Sequence, residues 1–339
     1  MISGVWRNRM SVVYRSMKQN EEAEVLALWD EVFQGGWWFG LKWDFKGQLD
    51  AEKNRQLHQT RVAVDENGRI VSTVQYFIRW TRGEDGKPEP MGAIADVATR
   101  ADARKQGHAR ALMLQAIDLM KQDACKWSML FTGVNPFYEQ LGYKTIETGY
   151  RTGKIAQGRS ESASGWHIDV DKEPIPESTL FNMISIYDAY NANRPLTLAR
   201  TPDYWRIACF PRISAPGRVV FTTRKSSSQG EACAYVLISF KDNAMWVQEA
   251  GYLPECEQAL AAAFDAVRLF AGNNNIETAN LFLPYEPGID AALPRLVKNI
   301  ETQPKFNIMT LPLTNGVTQE SIEAMFAKPG RMVWPLDDF

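Results

Sequence analysis

"DVATRADARKQGHARALMLQAIDLM", residues 96–120, ends an apolar strand and opens a helix through a loop that gathers small and basic residues. Gly107 lets the backbone come close to a ligand, because glycine has no Cβ to hold it off. Ala109 keeps a nearby helical position small, while Arg104, Lys105 and Arg110 bring positive charge. The first N–H groups of a helix have no intrahelical acceptor and sit at the positive end of its dipole, so such a junction suits an anion, above all a diphosphate. The R-x-x-G-x-A pattern is neither a Walker loop, which needs G-K-[ST], nor the three-glycine dinucleotide fingerprint. By itself it also fits an ordinary strand–loop–helix connection.

Working outward, helical spacing over residues 107–122 puts Ala109, Leu112, Met113, Ala116, Ile117 and Met120 on one face. Upstream, "SVVYRS" (11–16) reads as a strand and "NEEAEVLALWDEVF" (20–33) as a helix with an acidic first turn. "NRQLHQTRVAVDENGRIVSTVQYFIRW" (54–80) reads as two strands around an E-N-G turn, and "MGAIADVAT" (91–99) as a further strand. Downstream come a strand, "KWSMLFTG" (126–133), and a short helix begun by Asn135 and Pro136 and closed by Gly142. Residues 1–155 form a first unit, the polar stretch 156–175 reads as a linker, and 176–300 loosely repeats the order of elements before it. Two copies of one mixed α/β unit are expected, followed by a C-terminal extension over 301–339.

Composition excludes several classes. The chain has 339 residues with 45% hydrophobic and 23% charged, the balance of a globular protein. A net charge of −2 provides no basic field for nucleic acid or anionic lipid. No apolar run approaches the ~20 residues of a membrane helix, and the N-terminus lacks a secretory core, so a cytoplasmic protein with no membrane partner is expected. The 4 cysteines form no C-x-x-C pair and read as reduced structural thiols, and the 3 histidines are too scattered for a metal site.

Residues 96–120 together with "LFTGVNPFYEQLGYKTI" (130–146) resemble the GNAT acetyltransferase superfamily, with its acyl-coenzyme A motif V-x-P-x-x-R-x-x-G-x-G/A and its later tyrosine segment. Ala101 stands at the usual proline and Ala109 at the third small position. "IYDAYNANRPLTLARTPDYWR" (186–206) resembles the start of the second domain in the Eis-type acetyltransferases, in which two GNAT units are fused, here without a full sterol-carrier-like domain. The second unit enters its helix through "LPECEQAL" (253–260), which has no glycine for a phosphate. The expected fold is therefore α/β (α+β) with a mixed sheet and two tandem GNAT-like domains, the second degenerate and structural or acceptor-shaping.

The resemblance implies acetyl-coenzyme A as cosubstrate and no metal. It implies that the backbone of Val97, Ala98 and Thr99 binds the acyl carbonyl and pantetheine arm, and that Arg104, Lys105, Gln106, Gly107, His108, Ala109 and Arg110 surround the pyrophosphate. The His108 side chain reads as solvent-facing. Asn135 would lie near the pantetheine. Tyr138 would protonate the leaving thiolate, a suitable role for a phenol of pKa ~10 facing a thiol of ~8.5; its other reading is packing beside Phe137. Two groups are candidates for the base. One is an α-carboxylate at Phe339, whose other reading is a disordered tail. The second is Asp96, whose other reading is local backbone satisfaction at a strand splay. Trp37, Trp38, Phe39, Trp43 and Asp44 would wall the acceptor, by cation–π attraction to an ammonium, or plug the space under the second domain. Glu249 reads as strand interior.

The implied activity is direct acetyl transfer to a primary amine of a small molecule or peptide, with homo-oligomerisation open. The alternatives are a coenzyme A sensor without turnover, or an acyltransferase using a longer donor, an oxygen acceptor or a protein lysine.

Overall fold

Each half of the chain completes a sheet that the other half has begun. The computed structural model describes residues 12–34, 37–38, 41–42, 45–52, 54–158, 165–227 and 231–339. The first half runs through β1 (Val13–Ser16), α1 (Glu22–Phe33), a short pair β2 (Trp37–Trp38) and β3 (Leu41–Lys42), and α2 (Phe45–Ala51). It continues through β4 (Thr60–Val64), β5 (Ile70–Arg82), β6 (Pro88–Thr99), α3 (His108–Gln122), β7 (Trp127–Phe131), α4 (Asn135–Glu139) and β8 (Lys144–Ile155). The second half comprises β9 (Trp166–Lys172), α5 (Glu177–Asn191), α6 (Pro202–Tyr204) and α7 (Phe210–Ile213) joined by a π turn, β10 (Arg218–Lys225), β11 (Ala234–Lys241) and β12 (Ala244–Tyr252). Then come α8 (Glu257–Asn273), β13 (Thr278–Leu281), α9 (Pro287–Ala292), β14 (Val297–Pro312) and α10 (Gln319–Ala327).

Twelve strands form one sheet in the order β1-β4-β5-β6-β7-β14-β8-β13-β12-β11-β10-β9. Read inward from either edge, the pattern is the same. Four antiparallel strands are followed by a parallel neighbour, β7 beside β6 in one half and β13 beside β12 in the other. Next comes the last strand of the opposite half, and only then the half's own last strand. The long antiparallel ladder of β8 with β14, from Ile155↔Val297 to Lys144↔Thr310, is thus an exchange of strands at the centre of the sheet.

This exchange revises two expectations. Val297–Pro312 is an interior strand and not part of an extension. Its sequence hid this: much of it is exposed, and Pro304, which cannot donate to a ladder, pairs opposite Gly149 beside an irregularity in register. Within the polar stretch 156–175, Trp166–Lys172 forms the edge strand β9. Trp166 and Ile168 pack against the core while His167, on the other face of the strand, stays exposed.

The first half buries two faces. On one, Leu112, Met113, Ala116, Ile117 and Met120 of α3 join Val71, Ile94, Leu130 and Met309. On the other, residues from α1, α2 and α10, including Leu28, Trp29, Phe45 and Phe326, cover Met91, Ala93, Ala95 and Met129. In the second half α5 and α8 enclose β10–β12. Glu249, on β12, is fully buried as expected of a strand interior, but its carboxylate is bound by Arg200, which also holds Asp337 near the C-terminus. No helix among the described residues is long and apolar enough to cross a membrane.

The strand exchange depends on close backbone approach. A Cβ at Gly153 of β8 would lie 2.9 Å from Val297 Cβ and 3.0 Å from Lys298 O on β14. Overpacking of this kind costs about 1–3 kcal/mol. Gly153→Ala is therefore expected to lower the unfolding free energy by that amount. Gly316→Ala, whose new Cβ meets nothing within 4 Å, should stay within about 0.5 kcal/mol of wild type. Equal midpoints for the two variants in urea unfolding would contradict a tight β8–β14 seam.

Candidate functional site

The parallel ladder of β6 with β7 runs from Met91↔Trp127 to Ile94↔Leu130 and stops. On the other side of β6, Gln75 opposes Ala95 but Thr73 opposes Ala98, so Asp96 and Val97 together face the single residue Val74. This is a β-bulge, which bends a strand and re-aims its side chains. Asp96 adopts a left-handed φ of 49°, a conformation that aspartate tolerates better than most residues. Trp29 of α1 donates to Thr73 Oγ1 (2.8 Å), and Thr73 Oγ1 donates to Asp96 O (3.2 Å), bracing the bulge from below. The result is an opening in the sheet between β6 and β7, with Asp96 at its apex.

The Asp96 carboxyl is poorly solvated. Its Oδ2 is buried and has no hydrogen-bond partner among the described residues. Burial raises its pKa to about 7, where a carboxyl can exchange protons at neutral pH. Val97 and Thr99 are half-buried and Ala98 is buried. Ser72 Oγ donates to Ala98 O and shares a hydrogen bond with Thr99 Oγ1, both at 2.8 Å.

From Thr99 the chain passes directly into the basic loop. Lys105 (φ 62°) and Gly107 (φ 87°) are both left-handed. Gly107 is the N-cap of α3 and offers no capping side chain. None of the backbone N–H groups from Arg104 to Arg110 has an acceptor among the described residues; the first helical bond is Ala111 N–H to Gly107 O, at 3.0 Å. A Cβ on Gly107 would meet nothing within 4 Å, so the space before these amides is open. Arg104 Nε donates to Thr99 O (3.2 Å), and the nearby Asp102 is taken up by Arg69 (2.8 Å). The cations Arg104, Lys105 and Arg110 meet no carboxylate among the described residues. Open amides, the helix dipole and the three cations are together the features that suit an anion.

His108 is corrected. It is buried, and its Nδ1 lies 2.9 Å from the Tyr14 hydroxyl. Burial lowers its pKa. It occupies the inner face that Ala109 was expected to share, because β1 lies across the start of the helix, a contact between residues far apart in sequence. Asn135 is committed by its amide: Nδ2 donates to Thr145 Oγ1 (2.8 Å) and to Phe306 O (2.9 Å), tying α4 to the exchanged strands. Tyr138 is buried on the α3 face, edge-on to Phe137 with ring centroids 4.8 Å apart. Its hydroxyl has no hydrogen-bond partner among the described residues, and burial pushes its pKa up to about 12, above the ordinary phenol value.

Phe339 sits on the opposite face, with its ring centroid 5.0 Å from that of Phe131 at the end of β7. The segment before it is docked, not loose: Arg212 donates to Leu336 O (2.7 Å) and Asp338 O (3.0 Å). Of the expected acceptor wall, Trp37 and Trp38 form β2, while their side chains, like Phe39, Trp43 and Asp44, lie outside the described residues.

The second half has an equivalent opening with a different content. Its parallel ladder ends at Val247↔Leu281, and Gln248 is bulged out of register with β11. There Glu249 meets Arg200 at 3.0 Å, and Arg200 Nε reaches Asp337 at 2.8 Å, all of them buried. Thr73, Ser72 and Trp29, which shape the first opening, carried no signal in the sequence; only the bulge gives them a role.

Residues 13–146 match the family model described as the Acetyltransferase (GNAT) domain. No curated protein matches the sequence. Among solved structures, a probable N-acyltransferase of unknown function from Enterococcus faecalis V583 aligns at 17% identity and a TM-score of 0.65, covering 90% of this chain and 73% of that one. Eis1 from Mycobacterium abscessus aligns at 14% identity and a TM-score of 0.61, covering 89% and 74%. A tandem GNAT protein from the clavulanic acid biosynthesis pathway aligns at 12% identity and a TM-score of 0.53, covering 90% and 99%. The shared fold is that of tandem GNAT proteins.

The state of Asp96 can be read from stability. Its folded pKa of about 7 exceeds its unfolded value of about 3.9, so its contribution is greatest below the unfolded pKa and is lost as pH rises through the folded one. The stability of wild type relative to Asp96→Asn should therefore fall between about pH 4 and pH 7 and level off above. A difference independent of pH, measured by urea unfolding at several pH values, would show that Asp96 titrates normally.

Proposed function

We propose that the protein is an acyl-coenzyme A-dependent N-acyltransferase that moves an acetyl group to a primary amine. The observation that carries this reading is the unpartnered amide cradle from Arg104 to Arg110, placed at the end of the strand that opens away from β7. A diphosphate in the cradle would leave the pantetheine arm to follow the free edge of β6 past Thr99, Ala98 and Val97. The thioester would then lie in the opening, where backbone amides can stabilise the oxyanion.

The amine nitrogen attacks the thioester carbon, forming a C–N bond as the C–S bond breaks. Asp96 takes the proton that the nitrogen sheds. Tyr138 gives its hydroxyl proton to the departing sulfur. Its pKa of about 12 keeps the phenol protonated throughout the working range. An α-carboxylate at Phe339 is the rival base, favoured by the docking of that residue beside Phe131. The bulk of the rate gain would come from holding donor and acceptor together.

The second half is proposed to bind no coenzyme A, because Arg200, Glu249 and Asp337 fill its opening and its helix begins without a glycine loop. Titration with acetyl-coenzyme A should give one site per chain, and Gly107→Glu, which puts bulk and negative charge in the cradle, should abolish it. Two sites per chain would refute the assignment.

Thiol release from acetyl-coenzyme A in the presence of primary amines tests the activity. Tyr138→Phe should lower kcat by about 10²–10⁴-fold with little change in donor affinity. Because Asp96 acts as a base in its ionised form, kcat/KM should rise as pH passes about 7. If that limb survives in Asp96→Asn, the role passes to Phe339.

A further inference from the structure

On the face opposite α3, a cavity of about 80 Å³ opens beside Phe131, the residue that ends β7 and packs against Phe339. Phe131 and Gly149 line it from the first half, and Phe282, Tyr285, Ile308, Phe326 and Trp334 from the second. It exists because β14 crosses between the halves. Its position relative to the sheet is informative: the cradle and Tyr138 belong to the α3 side, while this cavity shares the side of Phe339.

Its polar groups are unusual. Lys305 and Arg331 both line it, and neither has a carboxylate within ion-pair distance among the described residues. Lys305 Nζ instead lies 5.5 Å from the ring centre of Phe282. The Tyr285 hydroxyl in the same wall is buried without a partner, under the guanidinium of Arg151, which stacks 4.5 Å from its ring. Gly149 leaves this hydroxyl uncovered, since a Cβ there would lie 3.8 Å from it. The opposing charge in the lining is Asp338, whose Oδ1 accepts from Phe339 N–H at 3.0 Å. Burial lowers the pKa of Lys305 and of Arg331, the signature of cations without sufficient counter-charge. Unpaired cations and an idle phenol around one apolar cavity leave donors waiting for an anion.

We infer that this cavity is the acceptor site and that it selects amines which also carry a carboxylate, held by Lys305 and Arg331 with the Tyr285 hydroxyl. Its role as acceptor site rests on the acyl-transfer reading; its preference for a carboxylate does not. The carboxylate end sits among the cations and the amine end points past Phe131 toward the opening.

The test uses ω-amino acids paired with their own carboxamides, which differ by a single charge. With acetyl-coenzyme A and the full chain, the acid of each pair should show a kcat/KM about tenfold or more above its amide, the worth of hydrogen bonds to a charged group. The double variant Lys305→Gln, Arg331→Gln should lose that preference, and the far-UV spectrum and melting curve should confirm that it folds. Equal rates for acid and amide with wild type, or a preference retained by the double variant, overturn the proposal. Calorimetry of the same pairs separates the two readings. If no amine is acylated but the acids bind wild type and not the double variant, the carboxylate site stands and acyl transfer falls. If the acids neither react nor bind, the proposed site falls too.

Discussion

The exchange of β8 and β14 is the constraint on which the rest of the structure depends. A strand inserted between β7 and β8 comes from a point in the chain more than a hundred residues later, so the first half has a complete sheet only when the second is folded. Each half thereby lends the other its central hydrogen bonds, and neither presents a free edge at the junction, where an unpaired strand would invite aggregation. Such non-local pairing must overcome loop-closure entropy before it yields any contact, which favours folding as one cooperative unit over assembly of two finished domains. The same exchange carries the chain after β14 back over the first half, where α10 and the C-terminal residues pack on the face opposite α3.

Two equivalent openings then meet different fates. In the first, the ladder stops, the bulge at Asp96 widens the gap, and no ion pair among the described residues fills it. In the second, Arg200 satisfies two carboxylates and stacks 3.9 Å from the ring centre of Tyr187 and 4.5 Å from that of Trp205. Tyr235 adds a hydrogen bond to Glu249 at 2.8 Å. Burying such a cluster yields little net stability against an apolar equivalent, yet removing one partner strands the others at a cost of about 3–5 kcal/mol. Its consequence here is positional: Asp337 anchors the end of the chain, and two residues later Phe339 lies against Phe131 at the mouth of the first opening. Charge pairing in one half thus sets the shape of the site in the other.

Much of this was legible in the sequence because it is local. The face of α3, the cradle residues from Arg104 to Arg110 and the turn of chain at Gly142 each follow from a few neighbouring residues and a known period. The general order of strands and helices in both halves followed in the same way. What was not legible is what depends on distant partners. His108 looked free because its neighbour Tyr14 lies across the fold. Residues 301–312 looked like the start of an extension because an interior strand with a proline and an exposed face lacks the usual apolar run. Glu249 read correctly as interior, but nothing near it announced Arg200 or Asp337. Lys305 and Arg331 stand far apart in sequence and become a pair only through the cavity they share.

A sheet that opens between two parallel strands has a chemical advantage over a surface cleft. Donor and acceptor can approach the same carbonyl carbon from opposite faces, so the nucleophile and the departing sulfur do not compete for space. The groups proposed to handle protons divide accordingly. Tyr138 stands on the α3 face, where the thiolate would leave, and Asp96 stands at the apex, where an amine would arrive. Burial acts on both in one direction: it holds the phenol protonated, and it raises the carboxyl into the range where it can exchange a proton at neutral pH. A solvated carboxylate of ordinary pKa would be too weak a base for an ammonium, so the bulge that hides Asp96 from water is also what would equip it for the proposed reaction.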